Sequence, residues 1–239
     1  MLLVIRHDRD DVAVGASPAR QIGGWLLTGL LATWHGVHLL DERRHVAVAV
    51  MGLLGILAAA ARFVVRERGR SAALTIAPWV LAWASGWWLV GIARLFDARI
   101  DPSNRSMAML MVVAVTLAAY EGIGNVLEWR WLRRLQALFA LILGGWLFWH
   151  VQEGTPPLDG LGAVAWPLAL ALWAVTLWRC EREEDASYSH YLHVWQHVPL
   201  WAVGGIALTW GIASRFGVAY DGVQIALAGF VIAALLESI

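Results

Sequence analysis

The sequence contains no lysine and only one cysteine, and its charged residues are few. Charged side chains make up 15% of the 239 residues, hydrophobic side chains make up 59%, and the mean hydropathy is +0.61. A soluble protein of this composition could not cover its exterior with polar groups. The scarcity of charge therefore excludes an ordinary soluble domain and predicts a protein that faces lipid over much of its surface.

Other absences narrow the range of functions. The 18 bases, all arginine, are balanced by 18 acids and form no basic tract, which gives no support for nucleic-acid binding. Cys180 alone cannot form an internal disulfide or a thiolate metal cage. The first apolar run, MLLVI, is too short for the core of a signal peptide, so we expect the first spanning helix to direct insertion. No P-loop, GxSxG or HExxH motif occurs.

Long apolar segments are abundant. About twenty mostly apolar residues are needed for a helix to cross the hydrocarbon layer. Segments that meet this requirement predict an all-α polytopic membrane protein with about eight transmembrane helices, at 21–40, 46–65, 72–95, 107–127, 133–151, 161–178, 192–214 and 219–237.

Two matches about 120 residues apart suggest an internal repeat. Pro78 with the later Gly-Ile-Ala at 91–93 matches Pro199 with the Gly-Ile-Ala at 211–213. Four spans return the chain to its starting side, so the halves would be parallel repeats. The predicted organisation is a cytoplasmic N-terminal segment, a first four-helix repeat and a second one, at 1–19, 20–130 and 131–239. The alternative is that any two spans rich in tryptophan and glycine look alike.

Arginines in the short connections indicate the orientation, because cytoplasmic loops are richer in basic residues. About twelve arginines fall on the side of the N-terminus, including those around 62–70, 129–134 and 179–185, and about six fall on the other side. We therefore expect both termini to be cytoplasmic.

Glu121 is the most informative polar residue in the predicted spans. It lies about 20 Å along a span that needs about 30 Å, in the cytoplasmic third. A carboxylate there usually faces a bundle interior or a water-filled cavity. Asn125 lies one helical turn on and can donate a hydrogen bond to it. Two interpretations stay open: a proton-exchanging or cation-pairing carboxylate of a transporter, or a structural glutamate paired with Asn125 or with an arginine of the next helix.

Histidines form two groups, one on each predicted side of the membrane. In the inner group, offsets of three and four place three imidazoles on one helical face, where they could bind zinc, copper or haem iron with a further ligand. No metal-site motif of known spacing occurs, and histidine is also stable with its ring tip among headgroups. No cofactor is therefore predicted, and the weak metal candidates are His190, His193 and His197 on the inner side and His35, His38 and His150 on the outer side.

Prolines and tryptophans within the spans carry further expectations. Pro78, Pro167 and Pro199 each remove a backbone donor within a predicted span, so each is expected to kink its helix. Several of the sixteen tryptophans, among them Trp129 and Trp149, lie at span ends and are expected in the headgroup zone. Tryptophans nearer mid-span each need an acceptor for the indole N–H.

The tryptophan-rich spans, the short arginine-bearing connections and the blocks AWPLALALWAVTLWRCERE and HVWQHVPLWAVGGIALTW resemble a bacterial family of very large polytopic membrane proteins of unknown function. Members string many such spans together, typically after a coiled-coil-like N-terminal segment that is lacking here. The resemblance implies the bacterial inner membrane, and either a fragment of a longer chain or a short relative. It assigns no residue roles.

The sequence favours a structural or assembly subunit of a membrane complex over an enzyme, because packing residues are abundant and no dense polar constellation occurs. Membrane lipids and other membrane subunits are the expected partners. The alternatives are a proton-coupled transporter that uses Glu121 and Asn125, and a membrane-embedded enzyme or a protein that binds haem or a metal.

Overall fold

The computed structural model describes residues 18–41, 44–64, 76–129, 132–133, 135–182 and 196–217. Within these ranges all regular structure is helical, which confirms the predicted all-α class, and a short 3-10 helix at Leu135–Ala137 leads into the fifth α-helix. The α-helices of the described residues are α1 (Pro18–Asp41), α2 (His45–Arg62), α3 (Ala77–Arg99), α4 (Pro102–Val126), α5 (Leu138–Glu153), α6 (Gly162–Glu181) and α7 (Val198–Arg215).

Five of these helical segments are long and apolar enough to cross a membrane. They are α2, α3, α4, α6 and the stretch Leu135–Glu153 that contains α5, with mean hydropathies between 1.3 and 1.8. A helix satisfies its backbone polar groups internally, as a membrane span must. Seven of the eight predicted segments overlap a helix, whereas 219–237 lies outside the described residues. The count of eight spans is therefore not confirmed.

Among the described elements, α2 and α3 form the closest helix pair. A Cβ placed on Gly52 of α2 would lie 2.6 Å from the Cα of Trp88 in α3, and Gly91 of α3 lies against the backbone of Ala49 in α2. In lipid, the hydrophobic effect does not drive helices together, so close backbone contact carries much of the association. The α2–α3 interface thus depends on glycine at both positions.

A second and larger apolar core joins α4 to α5, α6 and α7. Trp166 and Trp173 of α6 are fully buried in it, and Phe139 of α5 stacks on Trp173 with 6.1 Å between ring centroids. Leu110 of α4 is equally buried in this core. Helix α4 therefore packs with helices from beyond position 130, where the two predicted repeats would meet.

Helix pairs that the predicted repeat makes equivalent pack differently. The nearest neighbour of α2 is α3, whereas α6, its counterpart in the repeat, packs mainly along α4. The matched glycines both make close contacts, but Gly91 meets the backbone of Ala49 and Gly211 meets the side chain of Leu158. The halves share the use of glycine at contacts, and the tandem repeat is not confirmed.

The prediction that Pro78 kinks its helix is wrong. Pro78 lies in the first turn of α3, where the backbone N–H has no intrahelical acceptor, and its fixed φ suits a helix start. Pro199 lies near the start of α7, directly after the helical residues Gln196 and His197, and Pro167 lies inside α6. The kinks predicted at these two residues stay predictions.

Helix α4 ends in a reversal of the chain. The Glu128 N–H donates to the Asn125 carbonyl (3.1 Å) and the Trp129 N–H donates to the Gly124 carbonyl (2.7 Å), which are the paired bonds of a Schellman motif. Glu128 holds the left-handed position with φ 56°. The sequence predicts Trp129 in the headgroup zone. Its side chain is instead 3% exposed and stacks on Phe63 with 4.5 Å between ring centroids. The prediction is wrong because the reversal turns the ring onto the end of α2.

Candidate functional site

Glu121 lies on the face of α4 that packs against α6, and its side chain is fully buried. The last turns of α6 carry Arg179, whose Nη1 lies 3.5 Å from Oε2 of Glu121. The Arg179 side chain is 40% exposed, so the guanidinium links the buried carboxylate to the surface. A buried carboxylate is tolerated when a cation neutralises it. The arrangement is therefore an ion pair between two helices, with one partner inside and the other at the edge.

The sequence suggested Asn125 or an arginine of the next helix as the partner of Glu121, and the structure pairs Glu121 with an arginine of another helix. Arg179 belongs to α6, two helices along the chain from α4, and not to the next helix. Asn125 lies one turn beyond Glu121 in α4 and is partly buried. The structure thus places Glu121 at the contact between α4 and α6.

Further polar contacts tie α6 to the start of α7 and to the segment before α5. The indole N–H of Trp173 donates to Oε1 of Gln196 (3.2 Å), and Nε2 of Gln196 donates to the carbonyl of Ala137 (3.4 Å). Gln196 is 3% exposed. Nearby, the imidazole of His197 contacts the carboxylate of Glu181. Buried polar groups need such partners, and these bonds fasten three segments together.

Of the inner histidines, the structure describes only His197, which contacts Glu181. His190 and His193 lie outside the described residues, so the predicted group of three stays a prediction. Within the described ranges, no three His, Cys, Asp or Glu side chains come together in a way that could hold a metal ion.

Of the outer histidines, His150 makes a local contact. His150, in the last turn of α5, has its Nδ1 2.9 Å from Oγ1 of Thr155 in the following turn and meets the ring of Trp166 edge-on. His35 and His38 are exposed on α1. In the described chain these side chains therefore form no shared site with a third ligand.

A cavity of about 590 Å³ lies between α3, α4 and the start of α5. Its lining is almost wholly apolar, apart from the hydroxyl groups of Ser85, Thr116 and Tyr120. Ser85 Oγ lies 2.6 Å from the Tyr120 hydroxyl, and the indole of Trp88 donates to Oγ1 of Thr116 (3.2 Å). The volume falls in the range of small-molecule sites.

Glu121 does not line this cavity, although its neighbour Tyr120 does. Adjacent residues of a helix point about 100° apart, so Tyr120 faces the cavity while Glu121 faces α6. The carboxylate of Glu121 therefore lies on a different face of α4 from this cavity.

Sequence reasoning missed Arg179 and the hydroxyl pair of Ser85 and Tyr120. Arg179 was assigned to the same membrane side as Glu121, which is the one signal that could have suggested their pairing. Ser85 and Tyr120 are 35 residues apart, and nothing in their spacing marks them.

No family model, no curated protein and no solved structure matches this chain. The resemblance to the large bacterial membrane proteins therefore stays a prediction.

Proposed function

We propose that the chain is a multi-pass protein of the bacterial inner membrane, with eight spans in two tandem parallel four-helix repeats and both termini in the cytoplasm. Five helices long and apolar enough to cross a membrane support a multi-pass arrangement, and α1 and α7 overlap two more of the predicted segments. The arginine distribution supports the orientation.

Cysteine labelling tests this topology. In a Cys180→Ala background, Ser103→Cys places a thiol on the predicted outer side, and Arg182→Cys places one on the inner side; both positions are exposed. A membrane-impermeant maleimide should label Ser103→Cys in intact cells and Arg182→Cys only after permeabilisation. Labelling of both in intact cells, or the reverse pattern, contradicts the proposed orientation.

We further propose that the protein is a structural or assembly subunit of a membrane complex. The observation that carries this role is a set of two polar contacts between distant segments: the ion pair of Glu121 with Arg179 and the hydrogen bond from Trp173 to Gln196. Such pairs hold helices in place. Large apolar side chains such as Trp34 (78% exposed) and Trp79 (77% exposed) remain available for lipid and for other membrane subunits.

Native mass spectrometry of the tagged chain, extracted from its own membrane in a mild detergent, tests the assembly role. The expected result is a second membrane protein bound at fixed stoichiometry. An unrelated multi-pass protein with the same tag serves as the control for contaminants. A lone monomer with only lipid bound would remove the proposal.

A proton-coupled transporter is the main alternative function, and a variant of Glu121 tests it. In proteoliposomes under a pH gradient, the native chain and Glu121→Gln should show the same proton leak, because the carboxylate lies at a helix contact and not in the cavity. A proton flux that the native chain shows and Glu121→Gln loses would favour the transporter over the assembly subunit.

A haem or metal role for the histidines has its own readout. Purified protein would show Soret absorbance if it held haem, or a stoichiometric metal in elemental analysis. If either signal is present and disappears when His190 and His193 are replaced by alanine, the protein binds a metal or haem through these histidines.

A further inference from the structure

The cavity between α3, α4 and the start of α5 is large enough for one lipid chain. A non-hydrogen atom in a condensed phase occupies roughly the volume of a water molecule, about 30 Å³. A space of about 590 Å³ therefore holds roughly twenty such atoms. Trp79 and Leu138 line the cavity and are 77% and 38% exposed, so the space opens toward the surface between α3 and α5. In the proposed membrane arrangement, this opening faces the bilayer and gives a ligand a way in.

The hydroxyl groups that line the cavity already donate their protons to other groups of the protein. Ser85 donates its hydroxyl proton to the carbonyl of Leu81 (2.7 Å), since a carbonyl can only accept. A serine has one such proton, so in the 2.6 Å contact with Tyr120 it is the tyrosine that donates. Both hydroxyls therefore keep only lone pairs for a ligand.

Thr116 follows the same rule. It donates its proton to the carbonyl of Val112 (2.7 Å) and accepts from the indole of Trp88 (3.2 Å). The polar atoms of the cavity thus form a set of acceptors surrounded by apolar walls. An ester or ether oxygen would meet only other acceptors, whereas a hydroxyl group would find a partner.

We propose that this cavity binds a lipid alcohol, that is, a single apolar chain of roughly twenty non-hydrogen atoms with a free hydroxyl group at its end. The apolar lining takes the chain, and the Tyr120 hydroxyl oxygen accepts the proton of the alcohol. The inference goes beyond the assembly role and does not depend on it, since it concerns a different face of α4.

Photolabelling of the full chain in lipid nanodiscs tests the site. The probe is octadecan-1-ol with a diazirine in mid-chain, and the matched control probe carries the same chain with its hydroxyl capped as a methyl ether. Peptide mass spectrometry should locate the alcohol label on lining residues of α3, α4 and α5, and excess octadecan-1-ol should compete with it. The ether should label these residues about five- to tenfold less, as expected for one lost hydrogen bond.

Two single variants test which hydroxyl group donates and which accepts. Tyr120→Phe removes the acceptor and should lower alcohol labelling to the level of the ether, while ether labelling stays unchanged. Ser85→Ala removes the group that receives the tyrosine proton, so the hydroxyl of Tyr120 becomes a donor and ether labelling should rise several-fold. These opposite responses are not expected from a general loosening of the fold.

Three results would overturn the proposal. Equal labelling by the two probes would show an unspecific acyl-chain space. Label spread over all lipid-facing helices without competition would show only bilayer contact. Alcohol labelling that stays unchanged in Tyr120→Phe would show that the tyrosine hydroxyl does not bind the alcohol.

Discussion

Replacing Arg179 with methionine should destabilise the protein more than replacing Glu121 with glutamine, because the two partners of the ion pair are buried to different extents. Glu121 is fully buried and Arg179 is 40% exposed. Without the guanidinium, the carboxylate loses its counter-charge inside the helix contact, which costs about 3 kcal/mol. Without the carboxylate, the guanidinium can turn to water or headgroups, and the cost falls to about 1 kcal/mol.

The double variant separates the pair from its parts. Once both charges are gone, no unmatched group remains, so Arg179→Met combined with Glu121→Gln should cost about 2 kcal/mol, well below the sum of the single variants. Unfolding in mixed micelles by titration with dodecyl sulfate, followed by tryptophan fluorescence, gives the free energies. Arg94→Met is the matched control, since Arg94 is 61% exposed and its ion-pair partner among the described residues is the exposed Asp97, and its change should stay below about 0.5 kcal/mol.

Two outcomes would refute this reasoning. If Glu121→Gln costs as much as Arg179→Met, the asymmetry of burial has no energetic effect. If the double variant costs the full sum, the two side chains do not interact, and the contact at 3.5 Å is incidental.

Three further changes test the packing. Gly52→Ala should cost about 2 kcal/mol, because its Cβ would meet the Trp88 backbone, whereas Gly86→Ala in α3, with nothing within 4 Å, should be neutral in the same titration. Glu128→Gly should raise the unfolding free energy by about 1 kcal/mol, since glycine adopts a φ of 56° without strain; no gain would exclude strain at that turn. Gln196→Leu should cost about 2 kcal/mol by leaving the buried indole N–H of Trp173 without its acceptor, and an unchanged stability would show that this bond is dispensable.

The sequence predicts the helices well because their cause is local. An apolar segment of about twenty residues has few alternatives in lipid to an internally bonded helix, so hydropathy alone locates them. Pro78 shows where the local argument fails. A proline removes a backbone donor wherever it lies, and only the position of the helix start decides whether a hydrogen bond is lost.

The candidate site is less predictable because its partners come from distant parts of the chain. From the place of Glu121 in an apolar span, the sequence predicts that its side chain is buried and that it lies nearer the cytoplasmic side. Its pairing with Arg179 depends on α4 lying along α6, which no local pattern encodes. Trp129 illustrates the same limit, since its burial follows from a reversal at Glu128 that an acidic residue does not signal.

Helix α4 belongs to both large cores: Leu110 packs with α5, α6 and α7, while Tyr120 packs with α2 and α3. A chain cut after position 130 would leave α4 in one fragment and most of its neighbours in the other. We expect two such fragments to be unstable when expressed singly and to recover together when co-expressed, because each exposes the surface that the other covers. Newly made protein would then complete its assembly only after the later helices have emerged.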